Sequence, residues 1–268
     1  MQLEILLGIY AALLGLIVGS YLNVVIYRVP LGISTVLPRS RCPRCGAAIR
    51  AVDNVPVLSF LLLRGRCRQC GAHISWRYPA IEAATAALFV ACFLRFGISL
   101  ETPVAALFTA LLLALAMIDY DHMILPDVLT WPGIALGILL QPLVPWARLW
   151  EGLWGAMAGA ALGALLGSGV LLAVWTAWYL WRHEEGMGLG DVKMLALIGA
   201  FLGWKGMLVA LFAAALLGSV VGLTLMAFGG LDLKAKLPFG VFLALGGLIA
   251  LFAGEPLVRA YVAYAHSL

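Results

Sequence analysis

Long apolar runs separated by short polar breaks dominate this chain, and the breaks are few enough to read one at a time. Eight apolar segments stand out: Ile5–Ile26, Pro79–Phe96, Pro103–Ile118, Val128–Val144, Leu153–Leu180, Val192–Leu202, Met207–Phe228 and Phe239–Ala253. A stretch that is apolar all round, and not on one stripe, predicts a helix buried in lipid or in a helical bundle. A perpendicular membrane crossing needs about 20 such residues, so the shorter segments, the sixth above all, are the weakest spans. The one long polar stretch runs from Arg28 to Tyr78, between the first and second segments. The pattern predicts an all-α polytopic membrane protein of about eight transmembrane helices, with a small polar domain between helices 1 and 2. Its expected divisions are a first helix over 1–27, a polar domain over 28–78 and a transmembrane core over 79–268.

Composition agrees with that class. Hydrophobic residues make up 64% of the 268, against about half in soluble domains. The first apolar run has no basic region ahead of it and is long enough to span, so it is read as a spanning helix and not as a cleaved signal. Net charge is only +4, but nine of the 17 Lys/Arg lie from Arg28 to Arg77. If that stretch is cytoplasmic and the chain alternates, thirteen basic residues, Lys193, Lys234 and Lys236 among them, fall inside and four (Arg95, Arg148, Lys205, Arg259) outside. Both termini then lie outside. The bilayer is the expected surrounding, and nothing in the pattern points to nucleic acid. Gly155, Gly159 and Gly163, spaced four apart in the fifth segment, predict close helix packing. No internal repeat is expected.

Four of the five cysteines form Cys42-x-x-Cys45 and Cys67-x-x-Cys70, separated by 21 residues. Such pairs indicate thiolate ligands in a reducing compartment. Four thiolates complete a tetrahedral Zn²⁺ and leave no open position, so Cys42, Cys45, Cys67 and Cys70 are expected to hold a structural zinc. A polar segment this short needs such a staple. Cys92, alone in an apolar run, reads as a small buried residue.

The remaining chemistry lies in two acidic clusters. One is Asp119-Tyr120-Asp121 followed by Leu125-Pro126-Asp127, and the other is Gly186-Met187-Gly188-Leu189-Gly190-Asp191. Carboxylates are costly beside hydrocarbon and mark function by default. The same alternation of spans puts both clusters on the cytoplasmic face. Two carboxylates that share a proton can activate water and protonate a carbonyl without a covalent intermediate or a metal. Asp119 ends the third segment and can point inward, whereas Asp121 is expected to be wetter. Asp127 and Asp191 can each serve as a helix cap. Gly188 and Gly190 allow an unusual turn and the close approach of a peptide. Glu82, one turn into the second segment, is a further candidate or a partner for Arg77. The residues alone leave open a membrane acid–base enzyme, a proton-coupled transporter using the aspartates as a relay, or a scaffold.

Taken as an ordered set, these motifs resemble the type IV prepilin peptidases, or leader peptidase/N-methyltransferases. The resemblance runs nearly end to end. It takes in Gly19-Ser20-Tyr21-Leu22-Asn23, both CxxC pairs, Asp53-Asn54-x-Pro56, Arg77-Tyr78-Pro79-x-x-Glu82, Ile118-Asp119-x-Asp121-His122-x-x-Leu125-Pro126-Asp127, Gly186-Met187-Gly188-x-Gly190-Asp191-x-Lys193 and Pro238-Phe239-Gly240. It implies a bacterial inner-membrane aspartyl endopeptidase with Asp119 and Asp191 as its dyad and Asp121, Asp127, Gly188 and Gly190 in support. The implied substrates are prepilins of type IV pili or pseudopilins of type II secretion, cut after a glycine at the cytoplasmic face. It further implies methylation of the new N-terminus from S-adenosylmethionine; the sequence does not identify the donor's pocket, for which Glu82 and the Asp53–Ser59 stretch are the candidates. Two departures are visible. The Asp119–Asp191 interval is somewhat long, with extra residues around Pro145–Trp154. Val241 stands where proline is expected.

Overall fold

The computed structural model describes residues 2–149, 151–184, 188–228 and 237–265. Glu185, Gly186, Met187, Lys234 and Lys236, named above, lie outside the described residues. The described residues are helical apart from loops and two isolated antiparallel bridges. The helices are α1 (Gln2–Arg28), α2 (Leu58–Leu62), α3 (Arg77–Phe96), α4 (Glu101–His122), α5 (Asp127–Leu140), α6 (Leu153–Arg182), α7 (Leu189–Ala227) and α8 (Phe239–Ala265). Six of them, α1, α3, α4, α6, α7 and α8, are long and apolar enough to cross a membrane. The fourth expected segment is a short helix of 14 residues, α5. The sixth and seventh expected segments are joined in α7, which Gly203 breaks with φ 68° and ψ −179°. The break falls where the apolar pattern separates those two segments.

Contacts divide the chain into two compact units, Met1–Ala110 and Leu111–Leu268. In the first, α1 and α3 pack so closely that a methyl group on Gly19 would lie 2.7 Å from the Glu82 Cα. In the second, α6 crosses α7 backbone to backbone. A methyl on Gly163 would lie 2.2 Å from the Gly199 carbonyl oxygen, and one on Gly199 would lie 2.1 Å from that of Gly163. Small residues permit this approach, as the four-residue glycine spacing predicts.

A helix break strands backbone carbonyls, which need other partners when buried. Here Gln141, fully buried after α5, supplies them. Its amide nitrogen donates to the carbonyl oxygens of Ala200 (3.2 Å) and Phe201, just before Gly203, and its oxygen accepts the Ala147 N–H at 3.2 Å. One polar side chain thus closes the break in α7 and ties down the chain ahead of α6.

Candidate active site and metal centre

The cysteine region is built as two copies of one turn. Arg41-Cys42-Pro43-Arg44-Cys45-Gly46-Ala47-Ala48-Ile49 and Arg66-Cys67-Arg68-Gln69-Cys70-Gly71-Ala72-His73-Ile74 agree at six of nine positions. In each, the first cysteine's N–H donates to the alanine carbonyl five residues on, at 2.9 and 2.8 Å. In each, the glycine N–H returns to the first cysteine's carbonyl at 2.9 Å, and the glycine takes positive φ, 70° at Gly46 and 68° at Gly71. The flanking bridges, Arg41 with Ala48 and Arg66 with His73, match as well. This is an internal repeat, contrary to the expectation of none. Its signal was in the sequence, obscured because six of the nine residues in each copy are not cysteine or glycine landmarks but ordinary loop residues.

The repeat faces its four sulfurs inward. All lie within 4.8 Å of one another, and the Cys42 and Cys70 Sγ atoms are 3.8 Å apart. Four-coordinate zinc with Zn–S bonds of about 2.3 Å sets its sulfurs about 3.8 Å apart, so the donor set and spacing fit that ion. The Cys42 thiol is lowered to about 6, first by the backbone N–H of Cys45 and then by that of Arg44. At Cys45 the Ala47 N–H acts in the same direction. Desolvation and the sulfurs of Cys42, Cys70 and Cys67 override it and push the thiol up to about 11. The rise at Cys45 comes in part from the sulfurs crowded beside it, whereas the fall at Cys42 comes from the backbone donors of the turn. Cys92 is fully buried in α3, as its apolar surroundings predict.

The segment between the repeats is pinned at two points. Arg68 grips Asp53 through Nε (2.9 and 3.0 Å) and Nη2 (2.6 Å), and this fork holds the Asp53 carboxyl below its ordinary range. The Val57 N–H donates to Glu82 Oε2 at 2.7 Å. Val57 takes φ 58°, an uncommon region for a β-branched residue and one that persists only where surrounding contacts hold it. Glu82 is buried on α3, near the Ser20 hydroxyl as well as Val57, and neighbouring Asn23 donates to the carbonyl oxygens of Gly19 and Tyr78. The Glu82 carboxylate is thus engaged as an anchor for the segment. Sequence reading offered Glu82 as a candidate but could not see Val57 as its partner.

In the second unit the structure brings Asp119 and Asp191 together. Asp119 lies in the last turn of α4 and Asp191 in the first turn of α7. They are 5% and 7% exposed, the only buried aspartates among the described residues, and close enough to interact electrostatically. The start of α8 forms one wall of this site. A methyl group on Gly240 would lie 2.7 Å from Asp119 Oδ2, and the backbone amides of Gly240 and Val241 lie beside the carboxylate. Oδ2 itself is buried with no hydrogen-bond partner among the described residues. A buried carboxylate oxygen left without a donor is poised for a ligand or a water.

The other acidic residues separate from this pair. Asp121 and His122 are exposed at the end of α4. Asp127 does not cap α5, because the cap position is Pro126 and no side-chain cap bond forms. Asp127 is instead the first helical residue, and its carboxylate pairs with Lys193. Asp191 is likewise not a cap, since Gly188 holds that position ahead of α7. Gly190 packs on Leu125, where an added methyl would meet the Leu125 Cβ at 3.0 Å. Sequence reasoning missed the contribution of Gly240 to the Asp119 pocket, although Pro238-Phe239-Gly240 marked the region.

Comparison with known proteins is consistent along most of the chain. Residues 13–96 match the bacterial peptidase A24 N-terminal domain and residues 106–223 match the type IV leader peptidase family. A prepilin leader peptidase/N-methyltransferase of Pseudomonas putida is 38% identical over 91% of this chain and 90% of its own length. Proteins of that same name from Pseudomonas aeruginosa and Aeromonas hydrophila are 36% and 38% identical, covering 94% and 93% of this chain and 92% of each relative. No solved structure matches. With the paired aspartates, the four-cysteine repeat and relatives alike over nine-tenths of its length, this chain belongs to the type IV leader peptidase family.

Proposed function

We propose that this chain is a membrane-embedded aspartyl endopeptidase that removes the basic leader of type IV prepilins or type II secretion pseudopilins and methylates the new N-terminal residue. The observation that carries the peptidase reading is the buried meeting of Asp119 and Asp191. The names of the relatives carry the substrate class and the methyl transfer. In cleavage the two carboxylates act as a unit. One takes a proton from the attacking water while the other, protonated, donates its proton to the scissile carbonyl oxygen. As the C–N bond breaks, the first passes the water's proton to the leaving amine and the second recovers a proton from the gem-diol hydroxyl, which restores the pair. The unpartnered Asp119 Oδ2 is the natural contact for that water. Burial keeps bulk solvent out and strengthens every charge interaction with the reacting peptide.

The aspartates lie at helix ends, in the last turn of α4 and the first of α7, and not at mid-helix where a transporter relay would sit. This supports cleavage at one membrane face, which we read from the basic loops as the cytoplasmic face of a bacterial inner membrane with both termini outside. That reading takes about eight crossings, six of them the long apolar helices, with α5 and the second part of α7 beyond Gly203 as the others. Cys42, Cys45, Cys67 and Cys70 would hold a structural zinc that fixes the segment between them and takes no part in either reaction. S-adenosylmethionine is the methyl donor that the relatives' activity implies. Glu82 remains the candidate residue for binding it; its Oε2 accepts the Val57 N–H, and no step of the transfer is assigned to it.

Mass spectrometry of a prepilin incubated with purified enzyme and S-adenosylmethionine tests the reading. It predicts loss of the leader and a gain of one methyl group. An intact substrate, under conditions where a relative's enzyme works, contradicts it.

A further inference from the structure

Asp191 sits one residue after Gly190 and two before Lys193, and both of those neighbours reach the same short segment, Leu125-Pro126-Asp127. Gly190 rests on the buried Leu125 side chain, where an added methyl would lie 3.0 Å from Leu125 Cβ and 3.2 Å from its Cδ1. The Lys193 ammonium pairs with the Asp127 carboxylate at the first turn of α5. Side chains two residues apart on a helix point to nearly opposite sides, so Lys193 does not reach toward Asp191. It holds the far side of α7 while Asp191 faces Asp119. No side chain caps the start of α7, and these two contacts act on it together with the burial of Val192 and Met194. We propose that Asp127 is a positioning residue that, through Lys193 and together with the Leu125–Gly190 contact, fixes the rotation of the first turn of α7 and so aims Asp191 at Asp119.

The proposal rests on the reading of Asp119 and Asp191 as the catalytic pair. A side-chain tip lies about 5–6 Å from a helix axis, so a rotation of about 10° moves it by about 1 Å. A misplacement of that size costs a catalytic group on the order of 100-fold in rate. The ion pair is half-open, with Lys193 24% and Asp127 65% exposed at the side chain. Such pairs add little to stability, so the effect should fall on turnover and not on folding.

The test is a charge-reversal cycle on full-length enzyme in detergent: Asp127→Lys, Lys193→Asp and the double variant, beside Asp191→Asn. Leader cleavage is measured as separate kcat and KM, normalised to folded, metal-loaded protein. Each single reversal should lower kcat tenfold or more with KM within threefold, and the double should recover to within threefold of wild type. Singles within twofold of wild type, or a double as poor as the product of the singles, overturn the proposal. If a reversal does not fold, Asp127→Asn, Lys193→Gln and their double replace it. The double should then be no worse than either single, and additive losses overturn the proposal. Cleavage by wild type but not by Asp191→Asn shows that the dyad reading stands whatever the cycle returns. Cleavage by Asp191→Asn overturns both.

Discussion

Replacing Gly240 with alanine separates the site's geometry from the fold's stability. Gly240 is the second residue of α8, in a helical conformation that alanine adopts readily, and it is not among the glycines with positive φ. Alanine is the better helix former by about 0.5–1 kcal/mol in a helix interior, so the substitution should not weaken α8. The new methyl would lie 2.7 Å from Asp119 Oδ2, whereas ordinary contact begins near 3.4 Å. The flexible partner is the carboxylate, so Asp119 should give way by about 0.7 Å. If a 1 Å error costs on the order of 100-fold, this shift costs about 10- to 30-fold in kcat, or about 1.4–2 kcal/mol in the barrier. The assay is leader cleavage under saturating substrate, beside thermal melting of the same protein in detergent. Gly240→Ala should melt within a few degrees of wild type and turn over at least tenfold more slowly. A kcat within twofold of wild type would refute the placement of α8 against the dyad.

Three further outcomes are expected. Gln141→Leu strips the Ala200 and Phe201 carbonyls and the Ala147 N–H of their partner, at about 1–3 kcal/mol for each group left unpaired, and should lower the melting temperature clearly; unchanged melting would contradict the role of Gln141 at the Gly203 break. Elemental analysis should find one zinc per chain, lost in Cys42→Ser or Cys67→Ser, while a metal-free wild type that melts normally would contradict a structural zinc. Because the Arg68 fork lowers the Asp53 carboxyl, the pair's contribution to folding is full above the ordinary carboxylate value of about 4 and is lost as pH falls through the lowered one. Titration of ¹³C-labelled aspartate should therefore give Asp53 a lower midpoint in wild type than in Arg68→Gln, and equal midpoints would contradict the pairing.

Much of this was legible in the sequence because a membrane simplifies it. With so few charged residues, Asp119 and Asp191 announced themselves by their cost, and the ordered motifs gave the family. Helix boundaries were legible where Pro and Gly coincide with polar breaks, as at Pro79 and Leu125-Pro126. Contacts between distant backbones were not. Nothing in the string says that the amide of Gln141 bonds carbonyls about 60 residues away, that Glu82 receives the Val57 N–H, or that Gly240 borders Asp119. Asp127 was misjudged as a cap for a related reason. Its partner Lys193 lies 66 residues on, and a local rule sees only local partners. Gly203 is the intermediate case. The apolar pattern placed a boundary there but could not tell a break within a 39-residue helix from a loop.

The most direct measurement is mass spectrometry of prepilin incubated with wild type, Asp119→Asn and Asp191→Asn, each shown to be folded and equally loaded with zinc. The account predicts complete leader removal by the wild type and none by either variant, since asparagine keeps the shape of each side chain but cannot exchange the proton. Cleavage by either variant at a rate near that of wild type would contradict the claim that these two buried carboxylates are the catalytic pair.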